Sequence, residues 1–112
     1  MTVDSLGPSR LTVAKSQNEG QVRVVATGEV DLSTVERLRA TITAAVEPGP
    51  SEVVVDLRAV TFLDSTGVGA LIDARKQAMT YGSRIRVINP QPVVRRVLEV
   101  TGVLGVLSAG ES

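Results

Sequence analysis

Phe62-Leu63-Asp64-Ser65-Thr66-Gly67-Val68-Gly69-Ala70-Leu71 joins an apolar, strand-like run to a helix-like pattern through a short polar junction containing glycine. Such a junction sets hydroxyls beside the N–H groups that a helix start leaves unpaired. On residues alone, Asp64 or Ser65 reads as an N-cap, with a hydroxyl held out at the helix start. Upstream, Glu52-Val53-Val54-Val55-Asp56-Leu57 is a β-branched run without alternation, the pattern of a strand buried on both faces, central and parallel. Residues 58–64 read as the loop that leads to Ser65. Downstream, Val68, Leu71, Ile72 and Met79 form one helix face that ends near Tyr81-Gly82. Gly67, Gly69, Ala70 and Ala74 leave a small-residue surface where something approaches closely.

On the N-terminal side, Leu11 to Lys15 alternates apolar and polar, and Gln21 to Thr27 resumes strand character after a turn-rich Ser16–Gly20, giving an antiparallel hairpin at a sheet edge. Gly28-Glu29-Val30-Asp31 closes the second strand. Ser33 and Glu36 have capping-box spacing, and Val35, Leu38, Ile42, Ala45 and Val46 define a helix face that Glu47-Pro48-Gly49-Pro50 stops. On the C-terminal side, Arg84 to Ile88 reads as a strand. Pro90 and Pro92 precede a third helix, with Val94, Val97, Leu98 and Thr101 inward, Arg95, Arg96 and Glu99 on a solvated face, and Gly102 as its terminator. Val103 to Leu107 reads as a short last strand. The pattern predicts an α/β fold: a mixed, mainly parallel sheet of four or five strands, an antiparallel hairpin at its N-terminal edge, and about three helices. Residues 1–10 read as a flexible arm, 11–107 as one domain and 108–112 as a flexible tail. The crossovers are expected to bring Asp31 to Ser33, Asp64 to Gly67 and Asn89 to Gln91 to one sheet edge, where partners and ligands meet open α/β sheets.

Composition narrows the chemistry. Apolar residues make up 43% of the 112, and the only aromatic residues are Phe62 and Tyr81, so the core is built of Val, Leu, Ile and Ala and stacking platforms for bases are poorly supported. Twelve basic and twelve acidic residues cancel, with no clustered basic excess of the kind nucleic acid or an anionic membrane would select. The chain has no cysteine and no histidine, which removes thiol chemistry, the Ser-His-Asp triad and ordinary zinc sites. No cofactor is implied. Residues 1–10 show no signal-peptide pattern and no stretch is long and apolar enough to span a membrane, so the expectation is a cytoplasmic protein.

Three blocks, in order, resemble a known family. The strand end Gly28-Glu29-Val30-Asp31 is similar to its G-E-(L/I/V)-D. Asp56-Leu57 followed by Phe62-Leu63-Asp64-Ser65-Thr66-Gly67-Val68-Gly69 is similar to its D-L…F-(I/L/M)-D-S-(S/T)-G-(L/V)-G. Asn89-Pro90 with Val97-Leu98-Glu99-Val100-Thr101-Gly102 is similar to its (S/N)-P…V-L-E-L-T-G. These mark the STAS domains, and among them the small free-standing anti-sigma factor antagonists, with the match running from about Leu11 to Leu107. Many members continue past this point into another helix. They also carry a bulky residue after T-G, where this chain has Val103, Leu104 and Leu107.

The resemblance implies a protein that is not an enzyme. Its unphosphorylated form binds an anti-sigma factor that is also a serine kinase of the GHKL-type ATPase fold, and so frees a sigma factor. Phosphorylation of the motif serine, here Ser65, breaks that complex, and a PP2C-type phosphatase restores it. The partner-binding set carried over is Asp31, Ser33, Asp64, Ser65, Thr66, Gly67 and Val68, with no nucleic acid or membrane, in a monomer or weak homodimer. Beside it stand plainer readings. Thr66 is a second acceptor or a helix-start residue, Asp31 is a contact for a basic partner or an aid to its own helix, and Asp56 ends a buried strand and bonds nearby backbone. The two glycines suggest a nucleotide loop only weakly, lacking a third glycine and a Walker lysine. A ligand- or nucleotide-responsive sensor is the competing class. An enzyme with Ser65 as nucleophile lacks a group to activate it.

Overall fold

Alternating apolar residues set β1 (Leu11–Asn18) and β2 (Gln21–Val30) as an antiparallel hairpin. Its two-residue turn, Glu19-Gly20, has φ of +48° and +84°. Positive φ at both positions is the primed geometry that matches strand twist. The computed structural model describes residues 10–108, so the expected arm and tail, apart from Arg10 and Ser108, lie outside the described residues. Then follow α1 (Val35–Val46), β3 (Glu52–Leu63), α2 (Ser65–Thr80), β4 (Arg84–Ile88), α3 (Pro92–Val100) and α4 (Val103–Ser108). The sheet order is β1-β2-β3-β4, with β3 parallel to both its neighbours. This is the mixed, mainly parallel α/β sheet with an antiparallel edge that the sequence predicts. Among the described residues, no helix is long and apolar enough to cross a membrane.

Val22, Val24 and Ala26 of β2 and Val53, Val55 and Leu57 of β3 join one core cluster with α1, whose buried residues are Val35, Leu38, Ile42, Ala45 and Val46, as its spacing predicts. On the opposite face, Val54 is buried between Arg23 and Arg86, its partners in register. Their charged ends pair with Asp56 and Glu52, each at 3.0 Å. Glu52 is held below its ordinary pKa chiefly by its bond from Arg86, with Gln21 adding to the effect.

Four readings of the sequence are corrected. Residues 58–63 are strand, not loop. Leu57, Val60 and Leu63 are all buried although they are three apart, because register shifts opposite Val25/Thr27 and Gly28/Glu29 each give β3 one extra residue. A bulge flips the inward parity, so an alternation test fails there. Val103 to Leu107 is helix α4, which buries Val103 and Leu107 four residues apart; a short apolar run does not by itself distinguish strand from helix. The helices therefore number four among the described residues. In α2 the core face is Gly67, Val68, Ala70, Leu71, Ala74 and Ala78, while Ile72 and Met79 are 40% and 64% exposed. The small residues let α2 lie close on its neighbours. In α3, Val94 and Leu98 are buried and Val97 partly so, but Thr101 is exposed and its hydroxyl donates to the Val97 carbonyl at 2.8 Å.

Asn89 to Gln91 also lies elsewhere than expected. β4 ends opposite Asp56, whereas β3 runs on to Leu63. Asn89 therefore donates to Asp56 Oδ1 (3.4 Å) and Gln91 to the Arg58 carbonyl (2.6 Å), tying down the bulged region. Asp56 also accepts from the Arg58 amide at 2.9 Å. Asp56 is buried and bonds nearby backbone as its position suggests, but it does not end the strand, which runs on to Leu63.

Candidate functional site

The last pair in the β2–β3 ladder is Val30 opposite Leu63, and the Asp64 amide donates to the Val30 carbonyl at 3.2 Å. Asp31 and Asp64 therefore leave adjacent parallel strands side by side. Asp64 is the N-cap of α2: in extended conformation (φ −103°, ψ −169°), its Oδ1 accepts from the Thr66 amide at 2.9 Å and the Gly67 amide at 3.4 Å. The Thr66 hydroxyl donates to the same oxygen. The Gly67 and Val68 amides also bond the Asp64 carbonyl, at 3.0 and 3.1 Å. These helix-start N–H groups are taken up internally, so they form no open phosphate cradle. Ser65, the first residue of α2, is exposed, and none of the described residues hydrogen-bonds its hydroxyl.

Gly67 and Val68 are both buried. A Cβ on Gly67 would lie 2.8 Å from Leu63 Cγ and 2.9 Å from Val30 Cγ1, so this glycine lets the helix start seat itself on the two strand ends. The close approach it permits is the protein's own packing. Gly69 differs, since a Cβ there would meet only Arg39 Nη2 at 3.9 Å.

The β2–α1 junction is built otherwise. The expected capping box does not form, because α1 starts at Val35 and Thr34, at the N-cap position, makes no side-chain cap bond. Thr34 Oγ1 instead accepts from the Asp31 amide (2.9 Å) and donates to the Glu29 carbonyl (2.8 Å). Asp31 Oδ1 accepts from both the amide (2.9 Å) and the hydroxyl (2.8 Å) of Ser33. Arg10 closes the cluster, pairing with Glu29 at 3.0 Å and Asp31 at 2.9 Å and donating to the Ser33 hydroxyl. The Ser33 hydroxyl lowers the Asp31 pKa most; the Ser33 amide, Arg10 and Thr34 act in the same direction, against partial burial.

The structure thus gathers Asp31, Ser33, Asp64, Ser65 and Thr66 at one edge and puts Gly67 and Val68 beneath them. Sequence reasoning missed Arg10, although extending the hairpin register by one residue sets it opposite Glu29. It also missed two apolar side chains left in solvent there, Leu32 at 77% and Phe62 at 47% exposure. Glu29, Asp31 and Asp64 make the edge acidic, and Arg10 is the cation held within it. Among the described residues, no cluster of three or more His, Cys, Asp or Glu side chains is arranged to hold a metal.

A family model described as "Mlab, STAS domain" matches residues 13–108. The chain is similar to the anti-sigma F factor antagonist of Lysinibacillus sphaericus, 33% identical over 76 residues, a match that covers 67% of this chain and 65% of that protein. It therefore spans about two thirds of that relative's length. An anti-sigma factor antagonist from Mycobacterium paratuberculosis superposes with a TM-score of 0.75 at 28% identity, covering 87% of this chain and 82% of the other. The Bacillus cell fate determinant SpoIIAA, an anti-sigma factor antagonist, superposes in both of its forms at 26% identity. For the unphosphorylated form the TM-score is 0.72 and 83% of each chain is covered; for the phosphorylated form it is 0.68, with 87% of this chain and 88% of that one.

Proposed function

This chain belongs to the STAS-domain family, and on that footing we propose that it is an anti-sigma factor antagonist whose partner contact is switched by phosphorylation of Ser65. In this reading the unmodified protein binds, in the cytoplasm, an anti-sigma factor that is itself a serine kinase of the GHKL-type ATPase fold, and so frees a sigma factor. The kinase transfers a phosphoryl group from ATP to Ser65 and the complex parts; a PP2C-type phosphatase removes the group. The chain acts as a binding partner and as the kinase's substrate, not as an enzyme, and works as a monomer or weak homodimer. Asp31, Ser33, Asp64, Ser65 and Thr66 form the contact edge, with Gly67 and Val68 shaping it from beneath.

One observation carries the assignment of Ser65. Of the two hydroxyls at the α2 start, Thr66 donates its proton to the Asp64 carboxylate, whereas Ser65 is exposed with no bond from a described residue. A phosphate on Ser65 adds about −1.5 to −2 charges. The helix dipole offsets part of this within the free protein. Across an interface built for a neutral hydroxyl, next to Asp64, a solvated dianion is poorly accommodated. A loss of about 3 kcal/mol there weakens binding more than ~100-fold. Ser65→Ala is expected to keep wild-type affinity for the anti-sigma kinase and to show no modification by mass spectrometry, while Ser65→Glu binds ~100-fold more weakly. Stoichiometric phosphorylation of Ser65→Ala would transfer the role to another hydroxyl and end this reading of the switch.

A further inference from the structure

Ser65, Gly69, Ile72, Lys76 and Met79 follow one another along α2 at steps of four and three residues. At 100° per residue they share a sector of about 80°, opposite the buried Gly67–Ala70–Ala74–Ala78 face. This solvent stripe carries two large apolar side chains, Ile72 and Met79, and a glycine the fold does not need. Gly69 is helical and a Cβ there would make only an ordinary contact, with Arg39 Nη2 at 3.9 Å, yet a helix-interior glycine is less stable than alanine. Beside the stripe, a groove of about 280 Å³ runs between α2 and the α3–α4 corner, with Ile72 and the 48% exposed Val106 as walls and Val103 and Leu107 in its lining. Arg75 and Lys76 also line the groove, and among the described residues no carboxylate pairs with either. The nearby Asp73 is held by Arg39 of α1 at 2.7 Å.

We infer that this stripe and groove are a docking surface for an amphipathic helix of the anti-sigma partner, presenting apolar side chains that are edged with carboxylates where they meet the groove. The inference rests on the reading of Ser65 as partner-facing. The charge favours an acidic occupant, since the groove's charged lining is two unpaired cations and no acid. At about 280 Å³ the groove lies below the usual ~300–1,000 Å³ of drug-sized ligand pockets, and suits inserted side chains. A helix laid along α2 from Ser65 to Met79 spans about 21 Å, so it covers the switch hydroxyl at one end and the groove at the other. Gly69 lets its backbone come near between them.

The test is calorimetric titration of the full chain and its variants with each purified anti-sigma factor of the source cell, thermal melts being recorded in parallel. Gly69→Ala is diagnostic, because the two readouts should move in opposite directions: a Tm higher by roughly 4 °C with affinity lower by about tenfold. Ile72→Asp and Val106→Asp should each weaken binding by roughly tenfold or more at near wild-type Tm. Lys76→Glu should slow association and flatten its dependence on salt. Wild-type affinity in all four variants, with Ser65→Glu still defective, overturns the docking surface and leaves the switch standing. Weakened groove variants beside a fully binding Ser65→Glu support the surface and remove the switch. Self-association that the groove variants abolish, without change in partner affinity, assigns the groove to a second copy and overturns the inference. Failure of every anti-sigma factor to bind the wild-type chain overturns both readings.

Discussion

The two helix starts at the acidic edge are chemically alike and mechanically opposite. Each follows a parallel strand, and each opens with an aspartate succeeded within two residues by a serine: Asp31 with Ser33, and Asp64 with Ser65. Asp64 stands directly before its helix and spends its carboxylate on the Thr66 and Gly67 amides, which leaves Ser65 bare. Asp31 likewise accepts from the amide and hydroxyl two residues on, as Asp64 does from Thr66, but there that residue is Ser33, and Arg10 clamps the result. One residue of spacing thus decides which hydroxyl is open to an incoming group and which is committed. The energetic bases differ as well. The α2 start is held by a cap and by buried packing, whereas the α1 turn leans on an arginine that is half exposed.

If that contrast is sound, the largest cost lies under α2. Gly67→Ala is expected to destabilise the fold by about 1–2 kcal/mol, since the new methyl must displace Leu63 and Val30, offset in part by alanine's better helix propensity. A melt should show a Tm lower by roughly 4–8 °C per kcal/mol, the reverse of Gly69→Ala two residues on. Equal melts for the two alanine variants would break the distinction between the inward and outward faces of this helix.

A smaller step compares the caps. Asp64→Ala removes the side-chain acceptor for two amides and a hydroxyl and should cost about 1 kcal/mol. Arg10→Ala breaks exposed pairs and should cost between ~0 and 1 kcal/mol. Urea titrations that ranked Arg10→Ala above Asp64→Ala would make the α1 turn the stiffer of the two.

Much of this edge is legible in the chain, and the failures have physical causes. The α1 face reads directly because Val35, Leu38, Ile42, Ala45 and Val46 meet the core with unbroken helical spacing. A cap at Asp64 or Ser65 also reads, and the structure takes the first of the two. β3 past Leu57 does not, because its two bulges shift inward parity and no local residue announces them. Ile72 and Met79 mislead since hydrophobicity alone does not say which way a side chain faces; the alanines of α2 meet its neighbours instead. Ser33 with Glu36 has the spacing of a capping box, but Asp31 competes for the Ser33 hydroxyl and wins with the help of Arg10, a contact 23 residues distant. Of the acidic edge, then, the carboxylates and the open hydroxyl are local facts, while the clamp on Ser33 is a tertiary one.

The finest test of the contrast uses protons. The Asp31 pKa is lowered in the folded protein, first by the Ser33 hydroxyl and further by the Ser33 amide and Arg10. A depressed carboxyl stabilises the fold fully above its unfolded pKa, near 3.9, and that contribution is lost as pH falls through the folded value. Asp31→Asn keeps an oxygen acceptor but cannot titrate. The stability difference between wild type and Asp31→Asn should therefore be greatest near pH ~6 and shrink toward pH ~3. Glu52 is also lowered, by Arg86 on the far face of the sheet, so both proteins retain an acid-dependent slope and only the difference between them isolates Asp31. At ~1 M salt, where the Debye length is about 3 Å, the Arg10 part is screened and the hydroxyl part persists. A difference that vanishes in salt would make Arg10 the main cause and the turn an ion pair at heart. A difference that survives salt but shrinks with acid would show the serine hydroxyl itself holding the carboxylate charged, the commitment from which Ser65 is free.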